Sequence, residues 1–156
     1  MRTRSLLTIL TIALGASSVA HAQAGSFHVG PRVTYNFDFE QAGIGFHAGF
    51  PIGTRLEFYP SVDVFFPDNG SLLGFNADFK FRPSIELRPL YLGAGLNLTR
   101  GSGGGDSNTE SGLNLIGGLE ARNTGAIHPF VEFRAIIADH TSTALVGGLN
   151  ITLRNR

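Results

Sequence analysis

The sequence predicts an all-β protein, an eight-stranded antiparallel up-and-down transmembrane β-barrel, behind an export leader. Three observations carry this. The N-terminus is basic and then apolar and ends in a small-x-small site; apolar residues recur at every second position through most of the rest; and the face opposite them mixes glycine with charges of both signs.

The leader opens with Met1-Arg2-Thr3-Arg4, continues through an apolar run over residues 6–20 and closes on Ala20-His21-Ala22. Gly15, Ser17 and Ser18 interrupt the run, which is shorter than the roughly 20 apolar residues a spanning helix needs. Residues 1–22 are therefore expected to be a signal peptide, and 23–156 a single barrel domain by length. Losing Arg2 and Arg4 with the leader turns formal neutrality, 12 basic against 12 acidic residues, into a slight acidic excess.

The strands follow from a period of two, which separates an apolar from a polar face. The first segment sets Phe27, Val29, Pro31, Val33, Tyr35 and Phe37 against His28, Gly30, Arg32, Thr34, Asn36 and Asp38. The second sets Ala42, Ile44, Phe46, Ala48 and Phe50 against Gly43, Gly45, His47 and Gly49. In the third, Leu56, Phe58, Pro60, Val62, Val64 and Phe66 oppose Arg55, Glu57, Tyr59, Ser61 and Asp63. The fourth places Leu73, Phe75, Ala77, Phe79 and Phe81 against Gly74, Asn76, Asp78, Lys80 and Arg82. The fifth alternates Leu90, Leu92, Ala94, Leu96 and Leu98 with Tyr91, Gly93, Gly95, Asn97 and Thr99.

The sixth sets Leu113, Leu115, Leu119 and Ala121 against Asn114, Gly118 and Glu120, with Ile116 out of place. In the seventh, Pro129, Val131, Phe133 and Ala135 oppose Glu132 and Arg134, and Phe130 breaks the alternation. The eighth sets Leu145, Leu149, Ile151 and Leu153 against Gly148, Asn150 and Thr152. Strands of about 10 residues cross a bilayer when tilted. Short turns are expected on the rim formed by residues 51–54, 83–89 and 122–127, with a long, flexible polar loop at 101–111 on the other.

Alternation alone fits a soluble barrel with its apolar face inside equally well. The polar face decides. An eight-stranded barrel encloses only enough space for side chains, so glycines make room while Arg32, Arg55, Glu57, Asp63, Asp78, Lys80, Arg82, Glu120, Glu132 and Arg134 pair with one another. On a solvent face the same glycines would only weaken the strands. The apolar face, free of charge at these strand positions, reads as a lipid-facing band, with Phe-rich ends forming girdles. Every basic residue except Lys80 is Arg, so the Lys-rich surface of an ordinary soluble protein is missing.

The composition excludes several chemistries. Without cysteine there is neither a disulfide nor a thiolate metal site. His28, His47, His128 and His140 fall in different segments, with no metal-ligand spacing. The glycine run at 101–105 lacks the Lys-Ser/Thr and helix of a phosphate cradle. No catalytic, cofactor-binding or metal residue, and no cofactor, is expected. Pro31, Pro60 and Pro129 each delete a ladder donor, Pro60 well inside its segment.

Arg55-Leu56-Glu57-Phe58-Tyr59-Pro60-Ser61-Val62-Asp63 and Leu90-Tyr91-Leu92-Gly93-Ala94-Gly95-Leu96-Asn97, within the eightfold amphipathic pattern, resemble the small outer-membrane β-barrel family of the OmpA and OmpX type. The resemblance implies an outer-membrane protein with a structural or surface-interaction role and no open pore. It implies outer-membrane lipid as the standing partner, periplasmic chaperones and the barrel assembly machinery as transient ones, a monomer, and no nucleic acid. Two alternatives stand beside it. His140-Thr141-Ser142 resembles the His-x-Ser of lipid A deacylases of the PagL type, with His140 as base and Ser142 as nucleophile, but no Asp or Glu follows Asp139 to orient the histidine. The other alternative is a soluble lipocalin-like ligand-binding barrel.

Overall fold

The computed structural model describes residues 26–67, 70–83, 89–103, 106–121 and 125–153. The leader expected over 1–22 lies outside them. The strands are β1 (His28–Asn36), β2 (Gln41–Pro51), β3 (Leu56–Phe65), β4 (Ser71–Phe81), β5 (Leu90–Gly103), β6 (Asp106–Glu120), β7 (Ile127–Ile137) and β8 (Ser142–Thr152). Each pairs antiparallel with the next, and β1 pairs with β8. Closure removes the free sheet edges over the body of the barrel.

The faces fall as the glycine and charge pattern predicts. Leu56, Leu92 and Leu96 are exposed on the outside, Leu96 at 62%, and Phe58 and Ile151 share that face half-buried. Glu57, Asp78, Lys80 and Glu132 point inward, Lys80 only 2% exposed, and Arg82 reaches inward at the rim to Glu57. This is the reverse of a soluble carrier, whose apolar side chains would line the inside. Phe rings mark both ends of the outer band. Phe27, Phe50, Phe58 and Phe79 form a chain with centroids 4.9, 6.2 and 5.3 Å apart, and Tyr35 meets Phe37 at 5.4 Å at the opposite end.

Three sequence expectations need correction. Ile116 and Phe130 are not misplaced: both lie on the inner face and are buried, in step with Asn114 and Glu120 in β6 and with Glu132 and Arg134 in β7. They fill space that glycine leaves; a Cβ on Gly148 would sit 2.7 Å from the Phe130 ring. Arg55, expected inside, is exposed at the rim, where its Nη1 donates to Pro83 O at 3.5 Å. The expected loop at 101–111 is mostly strand. Ser102 pairs with Ser71 on one side and Ser107 on the other, and Thr99 pairs with Glu110, so β5 and β6 run on to Gly103 and Asp106. Composition misled because the hairpin has left the apolar band and is polar on both faces, while backbone pairing continues.

The prolines sit where the ladder opens. The β1–β8 register passes from Val29↔Ile151 to Arg32↔Gly148, skipping Pro31. The β2–β3 register passes from His47↔Ser61 to Phe50↔Phe58, skipping Pro60, which keeps its place opposite Ala77 of β4. Pro129 lies just beyond the last β6–β7 pair, Glu120↔Phe130, and its carbonyl accepts from the Ala121 N–H at 2.8 Å.

The rim bearing the ends of β1 and β8, with connections at 52–55, 82–89 and 121–126, is called here terminal; the other, with 37–40, 66–70, 104–105 and 138–141, distal. The distal connections span two to five residues and the terminal ones four to eight, against the expected contrast. At the distal rim Asn36 Oδ1 accepts from the N–H groups of Asp38 and Phe39 at 3.0 and 3.1 Å. This cap shapes a turn in which Glu40 takes a positive φ of 51°. Thr143 N–H donates to the Asp38 carboxylate at 2.6 Å, clasping this turn to β8.

Candidate functional site

The inward positions of all eight strands converge on a layered polar interior. Nearest the terminal rim, Arg82 Nη2 lies 3.3 Å from Glu57 and 2.8 Å from Glu120, and His28 Nε2 lies 3.2 Å from Glu57. Arg82, just past β4, bridges Glu57 of β3 and Glu120 of β6, and His28 of β1 joins the cluster through Glu57, because these strand ends meet at the same rim.

The middle layer closes the barrel. Lys80 Nζ is 3.0 Å from Glu132 and 3.2 Å from the centre of the Tyr59 ring, with Tyr91 at 4.4 Å and Phe130 at 5.1 Å. The Tyr91 hydroxyl donates to Glu132 at 3.0 Å. Arg134 reaches Glu132 at 2.8 Å and Asp78 at 2.9 Å. An ammonium taken out of water needs both an anion and polarisable faces around it, and the rings and carboxylate supply them. His47 completes the layer, stacked on Tyr59 at 4.7 Å and bonded through Nε2 to Asn150 Oδ1 at 2.7 Å. Gly118 makes this packing possible: a Cβ there would collide with the Tyr91 ring.

Above it, Arg32 donates from Nε to Asp63 Oδ1 at 2.8 Å and from Nη2 to Oδ2. Asp63 also accepts from Thr34 at 3.1 Å and from Asn76 Nδ2 at 3.2 Å. Asn76 Oδ1 in turn accepts from Asn97 at 2.9 Å and Asn114 at 3.0 Å. These amides stand at inward strand positions that sequence reading placed on the polar face without giving them a role. Over this layer a cavity of about 560 Å³ opens at the distal rim, floored by Arg32, Asp63, Asn76 and Arg134.

His140 and Ser142 both line the cavity mouth. Ser142 is buried, and its Oγ accepts from Asn36 Nδ2 at 3.4 Å; His140 is exposed. No hydrogen bond joins the two among the described residues. Glu132 is engaged by Lys80 and Arg134 in the middle layer and Glu120 by Arg82 at the terminal end, so neither orients His140. Glu110 of β6 does line the same mouth, a placement hidden while 101–111 was read as loop. Among the described residues no group of three or more His, Asp or Glu is arranged to hold a metal ion.

No protein-family model matches the sequence, and no curated protein matches it. Solved structures match the fold. The N-terminal β-barrel domain of Pseudomonas aeruginosa OprF superposes with a TM-score of 0.64 at 15% identity, over 82% of this chain and 97% of that one. Neisserial surface protein A (NspA) gives 0.62 at 19% identity, over 83% and 100%. Ail, the attachment invasion locus protein of Yersinia pestis, solved with the heparin analogue sucrose octasulfate, gives 0.52 at 14% identity, over 82% and 97%. The chain therefore has the fold of the eight-stranded outer-membrane barrels.

Proposed function

We propose that this chain is a small outer-membrane barrel, exported by the leader at 1–22, with a structural or surface-interaction role and no open pore. The observation that carries the reading is the sidedness of the wall: an apolar band on the exterior around an interior whose charges are paired and whose waist is filled by Lys80, Tyr59, Tyr91 and Phe130. In water such an exterior is an aggregation surface; in a bilayer it is the required solvent contact. Its partners are outer-membrane lipid throughout, and periplasmic chaperones and the barrel assembly machinery during export. The resemblance in fold to OprF, NspA and Ail supports this reading in kind.

Membrane fractionation with N-terminal sequencing tests location and processing, with cleavage after Ala22 expected. Planar-bilayer recording of the refolded protein tests the closed waist. A stable, large single-channel conductance would refute the filled interior, and recovery in a soluble fraction would refute the membrane reading.

A further inference from the structure

We propose that the outer wall at the distal end of β4, β5 and β6 holds a membrane lipid of net negative charge, its headgroup phosphate on Arg100 and an acyl chain in the groove beside it. The inference deepens the membrane reading of the wall and rests on it. Arg100 is the only charged residue at an outward strand position among the described residues. Its direction follows from its neighbours: Thr99 and Gly101 line the interior cavity, so Arg100 between them points out. It is exposed, and no hydrogen bond or ion pair engages it among the described residues. Register sets Leu73 of β4 on one side of it and Thr109 of β6 on the other. Thr109 stands between Asn108 and Glu110, which both line the interior cavity, so its hydroxyl shares the outer face with Arg100 while the Glu110 carboxylate does not.

The groove begins one row nearer the middle of the apolar band. Phe75, Leu98 and Ser111 stand side by side across β4, β5 and β6, and Ala77, Leu96 and Leu113 form the next row. Ala77 and Ser111 are small, and a groove of about 510 Å³ lies among these side chains. β7 pairs with β6 no further than Leu113, so Ser111 has no β7 partner on that side. Leu98 and Arg100 are two residues apart on one strand, which puts the Arg100 backbone about 7 Å beyond the groove's nearer row. Arg100 therefore stands where the apolar band gives way to Ser102, Thr109 and Ser107, the level at which headgroups begin. A phosphate matches the guanidinium because parallel N–H donors meet its oxygens, and the hydroxyl opposite adds a further donor. The lipid is anionic because no carboxylate stands at an outward strand position among the described residues to receive a cationic headgroup.

The test is a titration of the nitrogen-15 labelled full chain, refolded in uncharged maltoside micelles, with dioleoyl phosphatidylglycerol, dioleoyl phosphatidylcholine and soluble glycerol 3-phosphate. Partition into the micelle is common to the two lipids, so their difference reads the headgroup contact. Phosphatidylglycerol is expected to shift the Arg100 Nε–H and the Thr109 and Ser111 backbone amides saturably, at least about fivefold more tightly than phosphatidylcholine. Glycerol phosphate should shift none of them at the same concentrations. Arg100→Gln should abolish the preference, Arg55→Gln at the opposite rim should keep it, and Ala77→Phe, which fills the groove, should remove the Ser111 shift. All three positions are exposed, so the substitutions leave the packed interior intact. Equal affinity for the two lipids, equal losses in Arg55→Gln and Arg100→Gln, a Ser111 shift unchanged in Ala77→Phe, or saturable binding of glycerol phosphate would overturn the proposal. Recovery of the protein in a soluble fraction would sink the membrane reading and this one with it, whereas lost selectivity in a membrane-recovered protein sinks this one alone.

Discussion

Replacing Lys80 with methionine tests whether the middle layer holds the barrel together. The substitution keeps a flexible chain of similar volume but removes the ammonium 3.0 Å from Glu132 and 3.2 Å from the Tyr59 ring centre. Breaking a buried ion pair costs about 3–5 kcal/mol, because the remaining charge is left uncompensated. Here Glu132 keeps Arg134 at 2.8 Å and the Tyr91 hydroxyl at 3.0 Å, which places the expected loss at the lower end, about 3 kcal/mol. Glu132→Gln should cost at least as much, since it strands Lys80 among aromatic rings while Arg134 retains Asp78. The double variant should cost less than the sum of the singles, with a coupling of about 1–3 kcal/mol. The chain has no tryptophan, so urea unfolding in micelles is followed by far-UV circular dichroism and by electrophoretic mobility without heating. A Lys80→Met protein within about 0.5 kcal/mol of the parent, or strictly additive singles, would refute the claim that this layer is a coupled structural unit.

Leu96 projects from the outer face of β5, and arginine there should destabilise insertion into vesicles by about 2–4 kcal/mol while leaving refolding less affected in micelles; equal stability in both would contradict a lipid-facing band. Gly118→Val should block folding or cost about 3 kcal/mol through collision with Tyr91, and Tyr91→Ala in the same chain should restore part of the loss, read by unfolding titration. Incubated with lipid A, the protein is expected to release no hydroxy-fatty acid beyond the amount released by Ser142→Ala, measured by mass spectrometry; Ser142-dependent loss of an acyl chain would make it an esterase.

Strand existence and facing were legible in the sequence because inward and outward environments differ so sharply that every second residue records them. Thus Glu57, Tyr59 and Asp63 in β3 are buried while Leu56 lies outside. Ile116 and Phe130 were misread because an apolar residue on the inner face looks like a break in the pattern, although a filled barrel needs apolar volume wherever glycine yields space. The β5–β6 hairpin was misread for the opposite reason. Above the apolar band both faces are polar, so alternation disappears while the ladder persists. The cavity was not legible at all. It depends on cross-strand register, which brings Arg32, Asp63 and Asn76 together from three strands and sets Ser142 beside Asn36 at the mouth above them, and register leaves no mark in a single strand's composition.

That register also constrains what the distal end recognises. β7 pairs with β6 only from Leu113, so the hairpin stands clear of its neighbour and Ser107, Asn108, Thr109 and Glu110 lie along an edge without a β7 partner. Polar residues and a charge on such an edge oppose strand addition. The remaining distal turns are short, and the Asp38 clasp holds one of them against β8. A stable protein interface typically engages about 20–30 residues on each side, more than the connections at 37–40, 66–70, 104–105 and 138–141 provide. A rim of this size, held at its 37–40 turn by hydrogen bonds and surrounding a blind cavity, is matched in scale to small solutes, because their contact area fits inside it and little entropy is lost from that turn when they bind.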